Sequence, residues 1–140
     1  MEILGQAELN QPIFLPLYSN MISAGFPSPA QDYIEQTLDL NELCIRHPAA
    51  TFLVRVSGDS MKDAGIFEGD ILVVDRAIEA VHGDIIVASL NQAFTVKELC
   101  LKPIQQLLPH NKAYPPILLK EGDEFDVFGV VVSVVRRMTR

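Results

Sequence analysis

The stretch from residue 51 onward restricts the fold more than any other feature of this chain. It is a succession of short runs rich in Val, Ile, Leu and Phe, separated by Gly, Asp, Asn and Pro: "TFLVRVS", "ILVVDRA", "IIVASL", "AFTVKELCL", "IQQLLP", "PILL" and "FDVFGVVVSVVRR". Short β-branched runs at this spacing, with turn residues between them, predict a mainly β fold, an all-β barrel or sandwich. "IIVASL" and "AFTVKELCL" predict a hairpin turning at Asn91-Gln92. The last run is apolar on both faces through Val130-Val131-Val132, so it is a central strand or one covered by a second subunit.

The first 46 residues have a different texture, with apolar, polar and proline residues mixed without a lasting period. In "QPIFLPLYSNMISAGFPSP" each proline biases its predecessor toward extended geometry, which predicts an extended arm. Further on, "SPAQDYIEQTLDLNELCI" predicts a short helix starting near Ser28-Pro29, with Ser28 as cap and Pro29 at the first position.

With 140 residues the chain has the length of one domain plus an arm. A net charge of −7 excludes a domain that grips phosphate backbone by bulk positive charge. No run approaches the roughly 18 apolar residues of a membrane helix, so no membrane association is expected. Residues 1–24 lack Lys and Arg and contain Pro12 and Pro16, unlike a secretory signal. Cys44 and Cys100 sit in apolar contexts without CxxC spacing and read as reduced thiols of a cytoplasmic protein. No HExxH or Cys/His cluster suggests a metal, and no cofactor is expected.

The loop "SGDSMKDAGIFEGD", residues 57–70, carries Ser60 directly after an apolar strand. On local composition it is a connecting loop whose glycines supply turn geometry and whose Asp59 and Ser60 bond nearby backbone. It contains no Gly-x-Ser-x-Gly elbow. A nucleophilic serine needs a base, and His47, His82 and His110 all read as loop residues. Lys97 is the better candidate. In "AFTVKELCL" strand alternation puts Thr95, Lys97, Leu99 and Leu101 on one face, an apolar setting for an ammonium. The plain alternative is a lysine whose head snorkels to water. The chemical one is a desolvated lysine, well below the usual value of about 10.4, that takes a proton from Ser60. Lys62 stands on the loop and is expected to stay solvated and charged.

Ala24-Gly25, the "SGDSM" serine and the lysine of "FTVKEL" 37 positions later occur in one order and spacing. With "LPLYSN", "GFPSPAQDYIEQTLDLNEL", "HPAATFLVRVSGDSM", "EGDILVVDRAI", "HGDIIVASLNQAFTVKEL" and "DVFGVVVSVV", the chain resembles the LexA/UmuD family of self-cleaving serine peptidases over nearly its whole length. Within that family it is most similar to the UmuD-type SOS mutagenesis proteins and their plasmid-borne relatives. The resemblance implies a LexA-like β-rich peptidase domain at residues 47–140 and an N-terminal arm at 1–46. It implies that Ser60 attacks the carbonyl of Ala24, Lys97 takes the hydroxyl proton, backbone amides of Ser60 and Met61 hold the oxyanion, and the bond to Gly25 breaks. The partners it implies are a second copy in a homodimer, a RecA filament on single-stranded DNA that stimulates cleavage, and a UmuC-type Y-family polymerase. The truncated protein would be the regulatory subunit of that error-prone translesion polymerase.

Two departures qualify the likeness. Only about 50 residues precede the β region, without a basic recognition helix, so sequence-specific DNA binding is not expected. The cut is Ala-Gly, as in the repressors, where chromosomal UmuD-type proteins often have Cys-Gly. The competing readings are a signal-peptidase-like enzyme acting on other proteins and a non-catalytic interaction module in which Ser60 and Lys97 are structural.

Overall fold

A computed structural model of the protein describes residues 2–6, 11–18, 24–25 and 34–139. Ten strands run through them: β1 (Glu2–Gln6), β2 (Phe14–Tyr18), β3 (Ile34–Asp39), β4 (Thr51–Arg55), β5 (Ile71–Asp75), β6 (Ile85–Leu90), β7 (Ala93–Cys100), β8 (Gln106–Leu108), β9 (Ile117–Leu118) and β10 (Phe125–Val135). Eight form one antiparallel sheet in the order β1-β4-β5-β10-β6-β7-β8-β9, and β2 pairs with β3. The fold is mainly β, as the alternation of short apolar runs predicts.

The final strand is central. Phe125–Val130 of β10 pair with β6 and Val130–Val135 pair with β5, with a register shift in each half. Each shift bends the strand and strengthens its twist, so β10 carries the sheet from one half of the fold to the other. Gly129 sits at the first bend. A Cβ there would lie 2.7 Å from Val74 Cγ1 and 3.1 Å from the Asp75 carbonyl oxygen, so the close approach of β5 needs a glycine. One core gathers Val54, Val56, Met61, Ile66, Leu72, Val74, Val87 and Val96. The other is built on Ile86, Ala88, Leu99, Leu107 and Val130. The candidate serine turn packs on the first core through Met61. The candidate lysine lies on the side of the second, directly opposite Ile86 in the β6/β7 ladder.

The β6/β7 hairpin turns at Asn91 and Gln92, both with positive φ (50° and 68°). These are the backbone angles a two-residue hairpin of matching twist requires. Phe14–Tyr18 are extended, as expected of the arm. The helix predicted from Ser28 is a correction: residues 34–39 are strand, and only Leu40–Cys44 (α1) are helical. Ser28 and Pro29 lie outside the described residues. Pairing with β2 gives the backbone of 34–39 its hydrogen bonds, and that tertiary ladder outweighs a capping signal for a marginally short helix. The three histidines are structural. His47 Nδ1 lies 2.6 Å from Asp75 Oδ2, His82 Nδ1 accepts the Leu101 N–H at 2.9 Å, and His110 Nε2 lies 3.0 Å from Glu98 Oε1.

Candidate active site

Ser60 stands on the turn that leaves β4. Gly58 has φ +83°, which lets the chain reverse there, and a single 3-10 turn over Lys62–Ala64 follows. The turn is held from outside by a segment about 50 residues away. The His110 N–H donates to the Ser60 carbonyl at 2.8 Å, and Asp63 N–H donates to the His110 carbonyl at 2.8 Å. Asn111 Nδ2 donates to the Asp59 carbonyl at 2.9 Å, and the Tyr114 hydroxyl donates to Asp59 Oδ1 at 2.7 Å. The Asp59 side chain thus bonds a distant tyrosine, where the plain reading of the loop expected local backbone.

Lys97 is in the middle of β7, and its ladder bonds to β6 fix which way it points. It is 7% exposed, and among the described residues no carboxylate pairs with it. Its Nζ lies 3.0 Å from Ser60 Oγ, 2.6 Å from Thr95 Oγ1 and 3.1 Å from the Val96 carbonyl oxygen. Burial without a compensating charge lowers its pKa below that of a free lysine. Lys62, by contrast, is exposed.

Three partners suit both charge states of this amine. A neutral amine has two N–H donors and one lone pair: the donors satisfy Thr95 and Val96, and the lone pair accepts the Ser60 hydroxyl. An ammonium has three donors and can donate to all three oxygens. Proton transfer from Oγ to Nζ therefore leaves no buried polar atom unpaired, and none is unpaired among the described residues. Sequence reasoning put Thr95 on the same face as Lys97 but gave it no part. Spacing of two along a strand is the signal that it could reach the same amine. The Asn111 and Tyr114 contacts left no local signal.

Ser60 opens onto grooves on two sides. One runs between the Ser60 turn and Phe94–Val96, and the other between the turn, Lys97 and Tyr114–Pro115. The Ser60 and Met61 amide groups make no bond to another backbone carbonyl among the described residues. Ala24 and Gly25 are exposed and line neither groove. The structure therefore brings Ser60, Met61 and Lys97 together and leaves the Ala24-Gly25 bond outside them. Among the described residues no His/Cys/Asp/Glu group could hold a metal, and no helix is long and apolar enough to cross a membrane.

The chain is 51% identical over 122 residues to Protein SamA of Salmonella typhimurium, covering 87% of this chain and 85% of that protein. It is 51% identical over 118 residues to Protein MucA of Escherichia coli, covering 84% and 81%. To the LexA repressor of Verminephrobacter eiseniae it is 39% identical over 128 residues, covering 91% of this chain and 56% of the repressor. Residues 16–132 match a family profile that takes in part of β2 through most of β10, a span that includes Ser60 and Lys97, and the chain belongs to that family, Peptidase S24-like.

Proposed function

We propose that the protein is a serine endopeptidase acting on itself, with Ser60 as nucleophile and Lys97 as general base. The observation that carries this reading is the buried amine of Lys97, without a counter-charge, 3.0 Å from the Ser60 hydroxyl. Burial that lowers the pKa of this lysine raises the neutral fraction able to act as a base. Ser60 Oγ attacks the Ala24 carbonyl carbon as its proton passes to Lys97 Nζ. The amides of Ser60 and Met61 stabilise the oxyanion. The intermediate collapses, the Gly25 amine leaves with the proton from Lys97, and Ala24 remains as an ester on Ser60. Water then hydrolyses the ester, with Lys97 again taking the proton. The products are residues 1–24 and 25–140.

Division into an arm (1–46) and a peptidase domain (47–140) suits this chemistry, because the scissile bond lies in the connection between β2 and β3. A bond outside the groove must be docked before it reacts, and the rate scales with the docked fraction. A RecA filament on single-stranded DNA would act by raising that fraction. The shortened protein, as a homodimer in the cytoplasm, would then serve a UmuC-type Y-family polymerase in SOS translesion synthesis. Resemblance to the LexA/UmuD family supports these partners, together with similarity to SamA and MucA.

The test is to incubate the purified chain alone from about pH 7 to about pH 10 and read masses. A fragment beginning at Gly25 should accumulate faster as pH rises through the lowered pKa of Lys97, then reach a plateau. Ser60→Ala should yield none, and a wild-type chain that stays whole even with RecA, single-stranded DNA and nucleotide rejects the reading. Thr95 is a positioning residue. Thr95→Val removes one acceptor from the amine, which disfavours the ammonium. The plateau should fall about tenfold, one hydrogen bond's worth, and the midpoint should move to lower pH. An unmoved pH profile would make Thr95 merely structural.

A further inference from the structure

The outer edge of the large sheet is closed by the chain's own first residues. β1 pairs antiparallel with β4, setting Glu2 opposite Arg55, Ile3 opposite Val54, Gly5 opposite Leu53 and Gln6 opposite Phe52. Glu2 Oε2 lies 3.8 Å from Arg55 Nε. The other edge of β4 is taken by β5. Without β1, "TFLVR" would present a row of free N–H and C=O groups. It has no proline, lysine or bulge of its own to discourage pairing, and natural sheets rarely leave such an edge open.

A groove that starts at Arg55 and runs away from β1 across the ends of β5 and β10 is lined by Glu68, Asp70, Ile71, Val135, Arg136 and Arg137 as well. Arg136 is committed to Asp70. Arg55 and Arg137 are exposed, and Arg137 has no ion-pair partner among the described residues. The strand that covers the edge belongs to a segment, "MEILGQAEL", with two glutamates and no lysine or arginine. All of it lies before the Ala24-Gly25 bond.

We infer that β1 is a removable cap, and that the β4 edge it covers is a receptor for an extended acidic segment of a partner protein. That segment would bind as an added antiparallel strand, with a carboxylate opposite Arg55. This inference rests on the proposed self-cleavage for its trigger. While the chain is intact, β1 is tethered and its effective concentration at the edge is high. After the cut, five residues of β1 and five of β2 must hold by themselves, and that contact becomes bimolecular and dilutes away. The partner's strand then supplies the missing ladder bonds, with side-chain register giving specificity.

Two fluorescent peptides serve as probes: residues 1–9, and an unrelated Glu-Val-Thr-Ile-Gln-Val-Glu strand. Anisotropy is read on three proteins: full-length Ser60→Ala, full-length Ser60→Ala with Ile3→Pro to break the cap, and the self-cleaved product. The uncapped variant and the cleaved product should bind both peptides at least tenfold more tightly than Ser60→Ala. Arg55→Glu in the uncapped chain should abolish binding, and a residue 1–9 peptide carrying Glu2→Lys should restore it. Equal binding by capped and uncapped chains overturns the receptor edge. So does an uncapped chain that dimerises and that neither peptide dissociates, which assigns the edge to a second copy. If the uncapped variant binds while wild type never cleaves itself, the edge stands and cleavage as its trigger is rejected. A single cooperative thermal transition retained by Ile3→Pro excludes global misfolding as the cause of either result.

Discussion

Lys97→Met should lower self-cleavage by about 10²–10⁴-fold, the usual worth of a positioned general base, without lowering thermal stability. Methionine is chosen because the whole residue, stem included, is only 7% exposed. Lys97→Ala would confuse two effects, the relief of a desolvated charge and the opening of a cavity where the stem was. From sequence, Lys97→Ala is expected to be equally or more stable; the burial of the stem makes Met the cleaner comparison. The pH dependence carries the argument. The folded pKa of Lys97 is lowered by burial, so the penalty on the native state is complete below that value. As pH rises from there toward the unfolded value of about 10.4, the unfolded chain holds a proton the native one has lost, and wild type gains stability. The Tm advantage of Lys97→Met over wild type should therefore be largest at neutral pH and shrink toward pH 10. An active Lys97→Met, or a Tm difference that does not change with pH, would refute the neutral-lysine mechanism.

Arg136→Ala should lower Tm by roughly 5–10 °C at pH 7, because it strands a buried carboxylate. Asp70 is 2% exposed and receives Arg136 through two bonds of 2.6 Å, Nε to Oδ1 and Nη2 to Oδ2. The same guanidinium donates to the Gly65 carbonyl at 2.9 Å and stacks 4.6 Å from the Phe67 ring centroid. These contacts close the loop that began at Ser57, tying its far end to the residue after β10. The Arg136 hydrogen bonds hold the Asp70 carboxyl below the usual carboxylate range, and the Phe67 N–H adds to the effect. A depressed folded pKa gives stability that is complete above the unfolded value of about 3.9 and is lost as pH falls through the folded one. The Tm gap between wild type and Arg136→Ala should hold from pH 7 to about pH 5 and close below about pH 4. Asp70→Asn with Arg136→Leu, which removes both charges, should recover much of the loss. A gap that persists undiminished at low pH would mean that lost packing on Phe67, not the ion pair, is what matters.

Much of the site was legible because its information is local. Period-two alternation put Lys97 on an apolar face with Leu99, and a glycine-bearing turn after an apolar run put Ser60 at a strand's end. The sequence of Asn91-Gln92 between two β-branched runs was enough to predict the hairpin that presents Lys97. Each of these is decided by residues within a few positions of one another, and strand geometry turns such spacing directly into direction in space.

What the sequence left open required partners from far along the chain. Whether Val130-Val131-Val132 lay at the centre of the sheet or under a second subunit was undecidable from a run apolar on both faces. The pairing of β10 with β5 on one side and β6 on the other puts it at the centre of the sheet. A capping signal at Ser28-Pro29 pointed to helix, and the ladder to β2 made strand of residues 34–39. That His110, Asn111 and Tyr114 would hold the Ser60 turn was invisible, since the contacts span about 50 residues. The closing of the β4 edge by β1 was equally hidden, because an edge exists only once a sheet has formed. By itself the sequence determined which side chains share a face and where the chain turns. Only the tertiary structure decided which faces and edges meet, because those contacts depend on the spatial order of strands, which local propensity does not encode.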